Sequence, residues 1–267
     1  MKTLPLKYAE KTADASDRFL DYARSPTNRN RLACILNMVA AYRPPDPAIQ
    51  ILDIGCGIGN IAAPLASRSY SVLGIDVHAP SVELAAKTHV MPHLAFKVAK
   101  VQSMDLSQFD VIILTEVLEH VKDWRGMLNY LATGMKPDAL LILTVPNGVS
   151  PQEIVCRPSY MLKKTKRGTR VVHAIKWLLR TKDLTTADQQ TPHVNFYRLK
   201  TLHAAFEDNQ LTIKSFCSIF FVWSLWEVLF SRLISERWAQ WDFRLAQHVP
   251  PSWRTMWCFA LEKEPAR

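Results

Sequence analysis

Several things are missing from this 267-residue chain, and each absence removes a class of protein. No apolar stretch approaches the roughly 20 residues of a membrane span, because Glu227, Arg232, Glu236 and Arg237 interrupt the most apolar region. Met1 to Lys11 mixes charged and polar residues without an apolar core, so no secretory signal is expected there. The five cysteines (Cys34, Cys56, Cys156, Cys217, Cys258) are scattered and odd in number, which matches neither a disulfide framework nor a metal-ligand set. No repeat or low-complexity tract appears, and with 48% apolar residues disorder throughout is excluded. A cytoplasmic location, with peripheral membrane contact as a further option, is the expectation from these features.

Acidic residues are absent from one long segment. Nine basic residues lie between Arg157 and Lys182 with no acid among them, enough to supply the net charge of +9. Such a segment suits an anionic partner, or forms a solvated insertion. The aromatic residues gather elsewhere: six of the eight tryptophans (Trp223, Trp226, Trp238, Trp241, Trp253, Trp257) fall late in the chain. That region reads as an amphipathic cover, or as an interfacial anchor.

What is present is organised around Ile51 to Asn60, an apolar strand that runs into glycines at 55, 57 and 59. Glycine has no Cβ and tolerates positive φ, so such a loop lets backbone approach a ligand closely. A P-loop is excluded because no Gly-Lys-Ser/Thr follows, and a dinucleotide fingerprint would want glycine where Asn60 stands.

Periodicity predicts a helix from about Asn28 to Pro44, then strands at Ile51–Ile54, Ser71–Asp76, Leu94–Val98, Phe109–Thr115 and Leu140–Val145. Helices are expected at Ile61–Arg68, Pro80–Val90, Trp124–Met135 and Arg198–Asn209, with last strands at Leu211–Ile219 and Met256–Glu262. Strands alternating with helices make an α/β protein with a doubly wound, mostly parallel sheet. Ligands bind such sheets beyond the carboxyl ends of the strands, where Asp53, Asp76, Glu116 and Asn147 lie.

At these residues the chain resembles the class I S-adenosylmethionine-dependent methyltransferases, in particular the small-molecule enzymes of ubiquinone and natural-product biosynthesis. "LDIGCGIGN", "VLGIDV", "FDVIILTEVLEHV" and "MKPDALLILTVPN" occur in the family's order, and "WCFALEK" is similar to its antiparallel last strand. The resemblance implies a seven-stranded Rossmann-like sheet in a single methyltransferase domain, with core 30–149 and 193–267. Residues 150–192 and 220–253 would be insertions. It implies S-adenosyl-L-methionine as cosubstrate and S-adenosyl-L-homocysteine as product, held by Asp53, Gly55, Cys56, Gly57, Gly59, Asp76, Val77, Val101, Gln102 and Glu116.

In that reading Asp76 takes the two ribose hydroxyls, since an ionised carboxylate has lone pairs for both. The family often places acids after the third strand to meet adenine. Here Lys100 and Gln102 stand there, leaving Val101, Gln102 or Asp105 to serve. His120 and His193 are the candidate bases for an alcohol or phenol acceptor, Tyr197 and Asn147 candidate substrate contacts, and no metal is called for. The expected reaction is direct in-line O-methylation of a small-molecule, lipid or quinone-like, or glycan-linked acceptor. RNA methylation through the basic segment and cosubstrate binding without catalysis are the alternatives. Nucleic acid is the less favoured partner, and a monomer or dimer is expected.

Overall fold

The computed structural model describes residues 26–150, 165, 169–170, 194–219, 236–246 and 248–264. Helix α1 (Pro26–Tyr42) leads into β1 (Gln50–Ile54), α2 (Ala62–Ala66), β2 (Ser71–Asp76), α3 (Ala79–Thr88) and β3 (Leu94–Val98). Strand β4 (Val111–Thr115), α4 (Trp124–Gly134) and β5 (Leu140–Pro146) follow. Then come α5 (Leu199–Asp208), β6 (Leu211–Ser218), α6 (Glu236–Ala246) and β7 (Met256–Lys263). The strands form one seven-stranded sheet in the order β3-β2-β1-β4-β5-β7-β6. This is the α/β sheet that the alternation of strands and helices predicts. β1 is parallel to β2 and β4, and β2 to β3, whereas β6 and β7 are antiparallel.

Residues 26–114 and 134–142 form one compact unit; residues 115–133 and the described residues from 143 to 264 form the other. In the first unit, Val111 to Leu114 are all fully buried, as expected of an apolar run covered on both faces. β1 is buried from Ile51 to Ile54. β3 is half exposed, in keeping with its edge position in the sheet.

The N-terminal end of the first unit's strands is closed by a polar clamp. Asp110 accepts from Lys136 Nζ at 2.6 Å and from the Gln50 N–H at 2.7 Å, Tyr70 donates to the Arg43 carbonyl, and Arg43 donates to the Asp138 carbonyl. These bonds tie the starts of β1 and β5 to the turn before β4.

In the second unit, Phe259 on β7 packs edge-on against Phe206 of α5, with centroids 5.1 Å apart. Trp257 is fully buried and donates its indole N–H to the Pro251 carbonyl.

Cys34 and Cys217 are half-cystines, which the scatter of the five cysteines did not announce, while Cys56 and Cys258 are buried and belong to no disulfide. Cysteine usage therefore stops being a guide to compartment. Among the described residues no helix is long and apolar enough to cross a membrane. The basic segment apart from Arg170, His193 and three of the clustered tryptophans (Trp223, Trp226 and Trp238) lie outside the residues whose side chains are described.

Candidate active site

The glycine loop leaves β1 through three residues of positive φ, Gly55 at 73°, Gly57 at 52° and Gly59 at 87°. Gly55 and Cys56 both donate to the Ile75 carbonyl, which anchors the loop to the end of β2. Gly57 and Gly59 need their missing side chains for different reasons. A Cβ on Gly57 would meet nothing within 4 Å, so open space borders the backbone there. A Cβ on Gly59 would come within 2.8 Å of the Phe96 ring and 2.9 Å of the His89 ring. Gly57 thus borders open space, and Gly59 makes room for a floor beneath the loop.

Asp76 ends β2 in the expected place. Its Oδ2 accepts from the Gly57 N–H and its Oδ1 from the His78 N–H, both at 2.9 Å. Each oxygen keeps a lone pair, so the same carboxylate orders the loop and can still receive two hydroxyls.

Asp53 is the anomaly. It is 1% exposed, and neither carboxylate oxygen has a hydrogen-bond partner among the described residues. Burial pushes its carboxyl up to about 7; the nearby Ala62 N–H draws it down by less, and the charge of Asp76 adds to the rise. The Ala62 amide lies close enough to favour the anion without meeting ordinary hydrogen-bond geometry. A buried acid left without donors costs stability unless something else completes it. Asn60 repeats the pattern, with a buried Oδ1 that no described group satisfies.

Unpaired acceptors beside a cradle open at Gly57 fit a ligand that brings cationic and hydroxyl donors. The ammonium and ribose of S-adenosylmethionine are such donors. Nothing in the sequence singled out Asn60 as an acceptor; its polar side chain in the place of a fingerprint glycine was the available signal.

Cys56 is buried, and its thiol is held far above the ordinary range by burial first and then by the charges of Asp53 and Asp76. It is a packing residue of the loop, not a nucleophile. Val77 is 68% exposed beside Asp76, Val101 is buried in a 3-10 turn after β3, and Gln102 is exposed in that turn. The Ala99 N–H bonds the Asp76 carbonyl, so this turn leaves the sheet beside the aspartate.

Asp105, the acid that follows this turn, is engaged locally. Its Oδ1 accepts from the amide and hydroxyl of Ser107, and its Oδ2 from the Gln108 amide, which makes it the cap of the next short turn.

In the second unit, Glu116 follows the last residue of β4, and its φ of 54° is a strained value for a residue with a side chain. Thr144 fixes it by accepting from the Glu116 N–H and donating to Glu116 Oε1, each at 3.2 Å. The next turn holds His120, whose Nε2 lies 4.0 Å from Oε1 of the fully buried Glu119.

The segment Val194–Tyr197 is stitched across these strand ends. The Val194 and Asn195 amides donate to the Glu119 carbonyl, and the Asn195 side chain donates to the Leu118 and Val121 carbonyls. Gly148 donates to the Tyr197 carbonyl, and a Cβ at Gly148 would meet the Phe196 backbone at 2.7 Å.

Asn147 and Tyr197 are placed as scaffold. Both amide hydrogens of Asn147 go to the Ser252 and Arg254 carbonyls, and its oxygen accepts from the Val149 N–H. Tyr197 is 2% exposed and packs edge-on against Trp124, with centroids 5.3 Å apart. Burial first and then the Glu119 charge hold its phenol well above the usual range, so it stays un-ionised. These engagements tie both residues to the strand ends.

Comparison with known proteins agrees with this geometry. The family described as "Methyltransferase domain" matches residues 9–215. A ubiquinone biosynthesis O-methyltransferase of Rickettsia typhi is 31% identical over 123 residues, 45% of this chain and 50% of that protein. A protein of the same name from Chelativorans sp. is 31% identical over 155 residues, 53% of this chain and 61% of that one. The chain spans about half the length of the curated relatives it matches.

Among solved structures, PKMT2 from Rickettsia typhi in complex with AdoHcy covers 92% of this chain and 54% of its own, at 17% identity and a TM-score of 0.56. An S-adenosylmethionine-dependent methyltransferase from Mesorhizobium loti covers 91% and 100%, at 13% identity and a TM-score of 0.56. These likenesses show the fold, and the family match over most of the chain, joined to the four motifs, the sheet order and the open glycine cradle, shows the rest: this chain belongs to the class I S-adenosylmethionine-dependent methyltransferases.

Proposed function

We propose that this protein methylates an oxygen of a small-molecule acceptor. The observation that carries the cosubstrate half is Asp53, buried and unpaired beside a loop that is open at Gly57. When bound, S-adenosylmethionine supplies a methyl group on a sulfonium, which becomes a thioether as the acceptor oxygen forms its new bond to carbon.

The chain's own residues bind and align. Asp53 receives the ammonium, Asp76 the ribose hydroxyls, and the backbone at Gly57 lines the open side of the cradle. Val77, Val101 and Gln102, which follow the ends of β2 and β3, would hold the purine. Glu116, held in its left-handed conformation by Thr144, sets the exit of β4. His120 takes the hydroxyl proton at Nε2, which lies 4.0 Å from Glu119 Oε1. His193, the second candidate base, lies outside the described residues.

Alignment of this kind contributes several kcal/mol and needs no covalent intermediate. The acceptor class is supported by the names of the relatives, ubiquinone biosynthesis O-methyltransferases, and by the basic and aromatic composition of the regions outside the core motifs. An aromatic or lipidic hydroxyl compound carrying a negative group suits both. Cytoplasmic residence, with the tryptophan-rich region touching membrane lipid, goes with that acceptor.

The test has two arms. S-adenosylhomocysteine at millimolar concentration should raise the melting temperature, as linkage requires, and an absent shift sinks the cosubstrate assignment. Label from methyl-labelled S-adenosylmethionine should then pass to catechol or polyprenyl-phenol acceptors. Transfer to bulk tRNA at low salt with none to the phenols would replace this acceptor class by RNA.

A further inference from the structure

The glycine loop rests on two side chains that none of the motifs contains. His89 caps the C-terminal end of α3, donating its backbone N–H to the Ala85 carbonyl. It leaves the helix with φ −115° and ψ 79°, and its ring turns beneath the loop. There it is 8% exposed, with Nε2 at 3.1 Å from the carbonyl of Ile58, the residue between Gly57 and Gly59. A carbonyl oxygen only accepts, so the ring proton sits on Nε2. Burial holds the imidazole below its ordinary pKa, against the pull of the Ile58 hydrogen bond, and favours the neutral ring with that proton.

Phe96, reached from β3, completes the floor. Its centroid is 6.3 Å from that of His89 at an angle of 41°. Its ring edge occupies the space that a Cβ on Gly59 or Gly74 would need, at 2.8 and 2.7 Å. Gly59 and Gly74 thus lie against this floor rather than against a ligand.

We infer that His89 is a positioning residue for the cosubstrate cradle: its Nε2–H fixes the Ile58 carbonyl and, with Phe96 beneath, holds the Gly57–Gly59 backbone in its open form. Ile58 is flanked by residues at φ 52° and 87°, a backbone that glycine leaves free to move. Pinning the Ile58 carbonyl fixes the plane of the Ile58–Gly59 peptide. The ordering of the loop is then already present before ligand arrives, which strengthens binding without a new contact to the ligand. The inference rests on the cosubstrate reading of the loop.

Two substitutions in the full chain separate hydrogen bond from packing. His89→Phe keeps a ring against Phe96 and Gly59 but removes the donor; His89→Gln returns an N–H near the Nε2 position. S-adenosylhomocysteine binding is measured by calorimetry, melting temperature by thermal unfolding, and exchange of the Gly59 amide by NMR. His89→Phe should melt within about 3 °C of the parent. It should bind about tenfold more weakly, the loss of one hydrogen bond, and exchange the Gly59 amide faster. His89→Gln should recover affinity to within about threefold of the parent. If the phenylalanine variant does not fold, His89→Leu carries the same comparison. Parental affinity in His89→Phe, or affinity loss in both variants that only follows melting temperature, overturns the inference. Failure of the unsubstituted chain to bind is a different result and removes the cosubstrate reading instead.

Discussion

At the start of β1, Asp110 sits with one oxygen on the Lys136 ammonium and the other on the Gln50 amide. At the far end of the same strand, Asp53 sits deeper and has neither. Burial raises both carboxyls, yet at Asp110 the Lys136 hydrogen bond, the Gln50 amide and the charges of Lys136 and Arg43 outweigh it, and the net direction is down. At Asp53 nothing outweighs it, and the carboxyl rises to about 7. An acid completed by its own chain serves the fold, whereas an acid left incomplete at a strand's carboxyl end is, on the proposed function, the one that a ligand completes.

The sharpest way to break this contrast is Asp53→Asn. Removing a buried, unpaired acid should raise the melting temperature at pH 8, while S-adenosylhomocysteine affinity falls about a hundredfold, as for an ion pair lost in a dry site. Calorimetry and thermal unfolding on one preparation read both, and unchanged affinity would make Asp53 merely strained.

A smaller effect follows from pH. The free protein holds a proton on Asp53 up to about 7, and a bound ammonium favours the carboxylate. Affinity should therefore be about tenfold weaker at pH 6 than on the plateau above pH 8, with a proton released on binding. The sign for stability of the free protein is the reverse. The folded state keeps that proton where the unfolded state has lost it, so this contribution declines as pH rises from the ordinary carboxylate value toward 7. Asp53→Asn should flatten both profiles.

The least effect is expected at the closed end. Asp110→Asn should cost about 1 kcal/mol at neutral pH, a partly exposed ion pair with one backbone bond, and leave affinity unchanged. Because the Asp110 carboxyl is lowered by folding, its contribution is present above the ordinary carboxylate value and disappears as pH falls below it. A denaturation series from pH 3 to 7 reads this, and a loss of affinity in Asp110→Asn would erase the distinction between the two ends.

The elements of the core were legible because their signals are local. β3 was bounded to the residue by its apolar run, and α4, α5 and the two last strands to within one residue or two. Asp76 and the glycines were legible too, since positive φ next to a strand end restricts the residue choice to a few types. The amphipathic period likewise revealed α1.

Other features were hidden because they depend on partners far away in sequence. Asn147 looked like a substrate contact and is bonded to carbonyls more than a hundred positions later. Asp105 looked like a spare acid and is spent on its own turn.

By itself, then, the sequence determined the sheet, the glycine loop and the kind of ligand it takes, because period, glycine and strand-end acids act over a few residues. The tertiary structure alone decided what the loop rests on and which acids stay unpaired. His89, Phe96 and Ile58 meet only when α3 and β3 pack under the loop. Asp53 is left without donors only when β1 is buried from Ile51 to Ile54. Burial is what gives an unpaired carboxylate its cost, and burial is a property of the packed chain.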